Sequence, residues 1–179
     1  VYASSSAIYG NLSLGDDTTD RFSILSPYAQ DKLSLEHYAK MFFNVYKIPS
    51  IGLRLFNVYG PNQNPNSPYS AVIPIFIKRM KKNLPVIING GYQTRDFIFV
   101  KDVVNVMVKS MGKIQKIKCA DAFNVGSNKT TTINNLYKIL KGGLNSKSRI
   151  IRRKLDKFDP KKSSGTFKRL KKFLNFSQN

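Results

Sequence analysis

Short apolar runs alternate with longer stretches of helical periodicity, and no other feature of this sequence constrains the fold as tightly. Residues 1–5 read as the end of a strand and 50–56 as a whole one. Residues 86–88, 97–99 and 123–125 read as short strands. Between them, 27–46, 71–82, 101–111 and 132–140 carry apolar residues at helical spacing. Ser26 followed by Pro27 suits a helix start, because proline's missing N–H would be unpaired in the first turn anyway. Residues 10–26 are polar and 57–70 carry Pro61, Pro65 and Pro68, so both read as loops. Strands alternating with helices predict an α/β fold with a mainly parallel sheet. From Lys141 the pattern weakens, and only 167–173 recovers helical spacing.

On the first of these helices, Tyr28 and Lys32 stand four residues apart, shortly after the run Ser4-Ser5-Ser6. Residues at that spacing share one helix face. An ammonium beside a phenol stabilises the phenolate. A tyrosine so placed can take a proton from a sugar hydroxyl, and a serine at a neighbouring strand end can hydrogen-bond the same oxygen. By itself the pair is a common accident of composition, and the bland alternative is a helix with one exposed lysine.

Four blocks in order make it specific. They are Ser26-Pro27-Tyr28-Ala29-Gln30-Asp31-Lys32, the stretch 52–61 around Leu55-Phe56-Asn57-Val58-Tyr59-Gly60, the stretch 93–103 around Arg95-Asp96-Phe97, and Phe123-Asn124-Val125-Gly126. In this order the chain resembles the extended short-chain dehydrogenase/reductase family, nearest to the NAD-dependent nucleotide-sugar epimerases and dehydratases of the UDP-sugar 4-epimerase kind. The likeness runs from Val1 to about Leu140, with a weaker echo over 159–176. It implies a Rossmann-type doubly wound parallel sheet with a small substrate-binding lobe. Residues 1–60 would hold the remainder of the dinucleotide-binding sheet, 61–140 the substrate lobe interleaved with the last sheet elements, and 141–179 a basic C-terminal segment. Relatives open on a glycine-rich turn that lets backbone N–H groups meet the cofactor pyrophosphate. No such motif occurs here, so the chain reads as an N-terminally truncated member, expected to bind NAD poorly and turn over no substrate alone.

The resemblance also implies roles. Tyr28 would be the acid and base. Lys32 would bond the nicotinamide ribose, and Ser5, with Ser6 as second candidate, would bond the reacting sugar oxygen. Phe56 and Val58 would line the cofactor side of the pocket. Asn57 and Arg95 would meet the sugar diphosphate, where a guanidinium can bind two oxygens at once. Asp96 would order the local chain and Asp102 the following helix. In related dehydratases an acid precedes the tyrosine-glycine pair of the serine block. Here Ser5-Ser6-Ala7-Ile8-Tyr9-Gly10 has none, which favours C4 epimerisation with NAD as cofactor through a 4-keto sugar. Where relatives carry an arginine after the late aspartate, this chain has Asp159-Pro160-Lys161. Lys161 keeps the charge but loses the fork. The alternatives are a dehydratase, a heptose epimerase, and a catalytically dead remnant that only binds sugar nucleotides or polyanions.

Composition narrows the setting. The formal net charge is +20, and residues 141–179 hold 13 of the 30 Lys and Arg but only 2 of the 10 Asp and Glu. Such runs can attract nucleic acid or anionic lipid, but they are usually solvated faces or tails, so neither a nucleic-acid nor a membrane partner is expected. No 18-residue apolar run is present, so no membrane span is expected. Cys119 is the only cysteine and His37 the only histidine, which leaves no disulfide, no metal cluster and a cytoplasmic expectation. His37 reads as a helix-surface residue. The partners implied are a UDP-sugar substrate and, in the full-length enzyme, a second copy docked through the Tyr28 helix.

Overall fold

A computed structural model describes residues 1–67 and 70–175. Pro68 and Phe176, read in the sequence as part of a loop and as the end of the C-terminal echo, lie outside them. The elements run β1 (Tyr2–Ser5), α1 (Pro27–Tyr46), β2 (Ser50–Leu55), β3 (Asn57–Tyr59), α2 (Val72–Lys81), β4 (Val86–Asn89), β5 (Thr94–Phe99), α3 (Val100–Lys113), β6 (Ala120–Val125), β7 (Thr130–Thr132), α4 (Ile133–Gly143), β8 (Ile150–Arg153) and α5 (Lys168–Leu174). Among the described residues, strands form three sheets ordered β1-β2-β6, β3-β5-β7 and β4-β8. All pairings are parallel except β5 with β7.

The main sheet sorts its side chains by period two. Ile51 and Leu53 of β2 and Phe123 and Val125 of β6 face one core, where α3 supplies Val103 and Val106 and α5 supplies Leu170 and Leu174. The intervening Arg54 and Asn124 face the other side, toward Glu36 of α1 and Tyr9. Helices therefore cover both faces, as the doubly wound reading expects. A second core joins α2 and α4 to the β4-β8 pair through Phe76, Met80, Val86, Ile88 and Leu136. This is the small lobe.

Helix starts follow their sequence signals. Ser26 Oγ accepts from Ala29 N at 3.2 Å with Pro27 next to it, and Thr132 Oγ1 caps Asn135 N at 3.1 Å. Three readings need correction. β3 lies inside the span taken as loop, held by its register with β5. β8 lies inside the span from Lys141 where the periodicity weakens, and its Ile150 pairs with Val86 of β4. The C-terminal segment is folded onto the rest: β8 completes the small lobe, while Gly165 bridges Gly15 and α5 packs on the main sheet. On α1, Leu33 is buried, but Leu35, Tyr38, Phe42 and Val45 are exposed, because Ala29, Leu33 and Glu36 make the face that meets the sheet. His37 is exposed on α1, as expected.

Candidate active site

β1 ends at Ser5, and the chain turns at once into a single 3-10 turn (Ser6–Tyr9). Ser5 Oγ caps that turn by accepting from Ala7 N at 3.1 Å, which leaves its own proton to donate. Ser5 and Ser6 line a cavity of about 270 Å³ together with Phe56, Asn57 and Arg95. A second cavity of about 520 Å³ lies against the small lobe, walled by Val58, Phe76, Ile87 and Phe97. Asn57, Arg95 and Asp159 line both, so these three form the partition between the chambers.

Each partition residue is held. Asn57 Nδ2 donates to Asp96 O at 2.9 Å, which leaves its side-chain oxygen as acceptor. Arg95 Nη1 donates to Thr94 O at 2.8 Å, and its Nη2 pairs with the Asp159 carboxylate. Asp96 lies beneath, buried, and accepts from Ser127 N at 2.7 Å, Ser127 Oγ at 2.9 Å and Asn128 N at 2.9 Å. Burial pushes its carboxyl above the usual carboxylate range against the pull of those bonds. It orders the loop after β6. Asp102 sits in the first turn of α3, where a carboxylate meets the positive end of the helix dipole.

Tyr28 and Lys32 lie at the start of α1. Lys32 Nζ donates to Ala3 O at 2.9 Å and stands 5.7 Å from the Tyr28 ring centroid. Tyr28 is 55% exposed, and neither residue lines the two cavities. Lys161 is also outside them. Its carbonyl accepts from Thr94 N at 3.0 Å, and its side chain is exposed, while the next residue, Lys162, lines the serine cavity. The structure thus gathers Ser5, Ser6, Phe56, Asn57 and Arg95, places Val58 on the neighbouring chamber, and leaves Lys161 apart.

Sequence reasoning missed what lies underneath. Glu36, Arg54, Tyr9 and Asn124 form one buried polar network from α1 to β6. Asn124 Nδ2 continues it to the carbonyls of Gly15 and Thr166, both at 3.0 Å. A polar residue inside the apolar run Phe123-Asn124-Val125 was the available signal.

Among solved structures, UDP-N-acetylglucosamine 4-epimerase from Methanobrevibacter ruminantium M1 superposes with a TM-score of 0.90 and 34% identity, covering 99% of this chain and 56% of that one. UDP-glucose 4-epimerase from Thermotoga maritima matches with a TM-score of 0.90 and 31% identity, covering 99% and 57%. Human dTDP-D-glucose 4,6-dehydratase is 32% identical over 142 residues, which is 78% of this chain and 38% of that protein. The chain spans about half the length of these structures and less of the dehydratase. The model of the NAD dependent epimerase/dehydratase family matches residues 1–126, and the chain belongs to that family.

Proposed function

We propose that the protein carrying this chain epimerises a UDP sugar at C4. The observation that carries this reading is the pair of chambers meeting at Arg95. The wider, apolar-walled chamber suits a nucleoside, the partition suits a diphosphate, and the serine cavity suits the sugar. Arg95 and Asn57 hold the diphosphate. Ser5 or Ser6 donates to the C4 oxygen; Tyr28, which lines neither chamber and takes its role from family likeness, removes the C4 hydroxyl proton and later returns it to the 4-keto sugar. Phe56 and Val58 border the place where sugar and cofactor meet.

The residues present fit the nicotinamide end of NAD. Lys32 spends one of its three donors on Ala3 O and keeps two for a ribose. Among the described residues no helix opens on a glycine-rich turn that could seat the pyrophosphate. NAD, when bound, supplies reversible hydride acceptance; this chain's residues orient the sugar and move the proton. The exposed Tyr38, Phe42, Val45 and Tyr46 on α1 are the face through which two copies would pair.

A dehydratase needs an acid near the sugar beyond C4. Among the described residues, Asp159 is the only carboxylate lining the serine cavity, and it is engaged by Arg95. The test is the product formed when the intact protein is incubated with UDP-glucose, UDP-N-acetylglucosamine and UDP-glucuronate. The C4 epimer of one of them is expected. A product that has lost water, or no conversion of any with NAD added, overturns the reading.

A further inference from the structure

We propose that the far end of the small lobe docks on an anionic phospholipid surface. The sequence suggests that the positive charge belongs to a solvated tail, but the structure gathers much of it on a folded body. Over 72–89 and 133–155, which supply α2, β4, α4 and β8, there are 11 Lys and Arg and no Asp or Glu. Five of these cations converge at one end. Ser146 Oγ donates to Met80 O at 2.9 Å, Lys147 N donates to Asn83 Oδ1 at 2.8 Å, and Val86 N donates to Arg149 O at 2.8 Å. Ser146 N also donates to Lys141 O at 3.0 Å. These bonds bring Lys81 and Lys82 at the end of α2 beside Lys141, Lys147 and Arg149.

Among the described residues none of the five pairs with a carboxylate; the four ion pairs lie elsewhere. Two helix C-termini end here and favour nearby cations. That accounts for Lys81, Lys82 and Lys141 but not for Lys147 and Arg149. Like charges packed this way repel one another, and a polyanion relieves the repulsion. The apolar group within the cluster identifies which polyanion. Leu84 lies two residues after Lys82 and is 44% exposed. An exposed aliphatic side chain at the same end of the lobe as these cations suits the headgroup and acyl boundary of a bilayer. Single-stranded nucleic acid binds by stacking on exposed aromatic rings, whereas the ring that meets this cluster, Tyr137 beneath Lys141, is buried. The patch sits at the start of β4 and β8, whereas the end of β4, through Ile88 and Asn89, lines the larger chamber. None of the five cations lines either chamber.

The test is co-sedimentation of the full chain with phosphatidylcholine vesicles, with and without phosphatidylserine. Binding is expected only with phosphatidylserine, and is expected to vanish as salt rises from about 0.1 M to about 1 M, where the screening length falls to about 3 Å. Replacing Lys82→Glu and Lys147→Glu together should weaken it at least about tenfold, at roughly a few-fold per charge lost. Leu84→Ser should weaken it about several-fold with the charge unchanged. Lys116→Glu with Lys118→Glu makes the same charge change on the other body and should leave binding nearly intact. Equal loss in that control would reduce the effect to net charge and overturn the proposal. So would equal binding without phosphatidylserine, no vesicle binding at all, or patch variants that lose binding to single-stranded DNA but not to vesicles. Circular dichroism melting of each variant separates loss of the patch from loss of the fold.

Discussion

Arg54 on β2 and Glu36 on α1 form a two-bond ion pair inside the molecule, Nε to Oε1 at 2.9 Å and Nη2 to Oε2 at 2.7 Å. Their side chains are only 5% and 3% exposed. Ser4 Oγ also donates to Glu36 Oε1, so the pair ties the helix bearing Tyr28 and Lys32 to the strand bearing the serines. Removing one member strands the other charge in a dry site, which typically costs about 3–5 kcal/mol. Glu36→Gln and Arg54→Met should each lower unfolding free energy by about that much in urea titrations. The double replacement Glu36→Leu with Arg54→Met should lose less than the two losses added together. A single-variant loss below about 1 kcal/mol would mean that water reaches the pair.

Tyr9 extends the network and predicts an alkaline weakness. Its hydroxyl accepts from Arg54 Nη1 at 2.8 Å and donates to Asn124 Oδ1 at 2.7 Å. Burial pushes its pKa up from 10.0 to about 12, against the opposing effect of Arg54. The folded state therefore keeps a proton that the unfolded chain gives up. The contribution is whole below pH 10 and is lost as pH rises toward 12, at no more than about 1.4 kcal/mol per pH unit. Stability of wild type minus that of Tyr9→Phe should fall across that window, which also cancels other tyrosines. A flat difference would show that Tyr9 ionises like a free phenol.

The C-terminal segment closes over the serine turn through two glycines that bridge, Gly15 and Gly165. A Cβ on Gly165 would stand 2.6 Å from the Phe56 ring and 3.0 Å from both Asn124 Nδ2 and Gly15 O. Two of those three neighbours belong to the buried network and the backbone, so they yield little. Gly165→Ala should cost about 1–3 kcal/mol by overpacking and expose the loop before α1 to protease. Gly142→Ala, where nothing stands within 4 Å, is the matched control and should be neutral or slightly stabilising. Similar behaviour of the two variants would refute the close approach.

Elements with a local signal were legible. Pro27–Tyr46 was readable to the residue because Ser26, Pro27 and a 20-residue periodic run all agree. β8 was not, because Ile150-Ile151-Arg152-Arg153 alternates in neither period and becomes a strand only through its partner β4. Family likeness picks out the serine, Asn57 and Arg95 positions, which line one cavity. That Lys162 lines it and Lys161 does not could not be read, since it depends on which face of the 159–164 segment meets β5. Nor could the Glu36–Arg54 pair, 18 residues apart, because the sequence does not say which of its charges are buried together.

Tyr28 should be indispensable for turnover yet dispensable for folding. It is exposed, and its helix is anchored elsewhere, by Leu33 and Glu36. In the intact enzyme, Tyr28→Phe should reduce kcat by about 10²–10⁴-fold, the usual contribution of a positioned acid–base group. The melting temperature and UDP affinity should stay unchanged. Retention of more than about a tenth of wild-type kcat would move the proton transfer to another group.

Arg95 and Asp159 give the last expectation, on affinity. The Arg95 side chain is 11% exposed, one nitrogen is committed to Thr94 O, and the other faces Asp159. On the proposed reading, a diphosphate entering the partition would meet a guanidinium already paired with a carboxylate. The carboxylate and the phosphate compete for the same donor, and the like charges repel. Asp159→Asn removes both effects, so UDP should bind several-fold more tightly in calorimetry, with the gain shrinking at high salt. Arg95→Lys keeps the charge but not the fork and should weaken UDP by about tenfold. Weaker binding in Asp159→Asn would show instead that this carboxylate accepts a hydrogen bond from the nucleotide. Arg95 would then be held in place by Asp159 rather than masked by it.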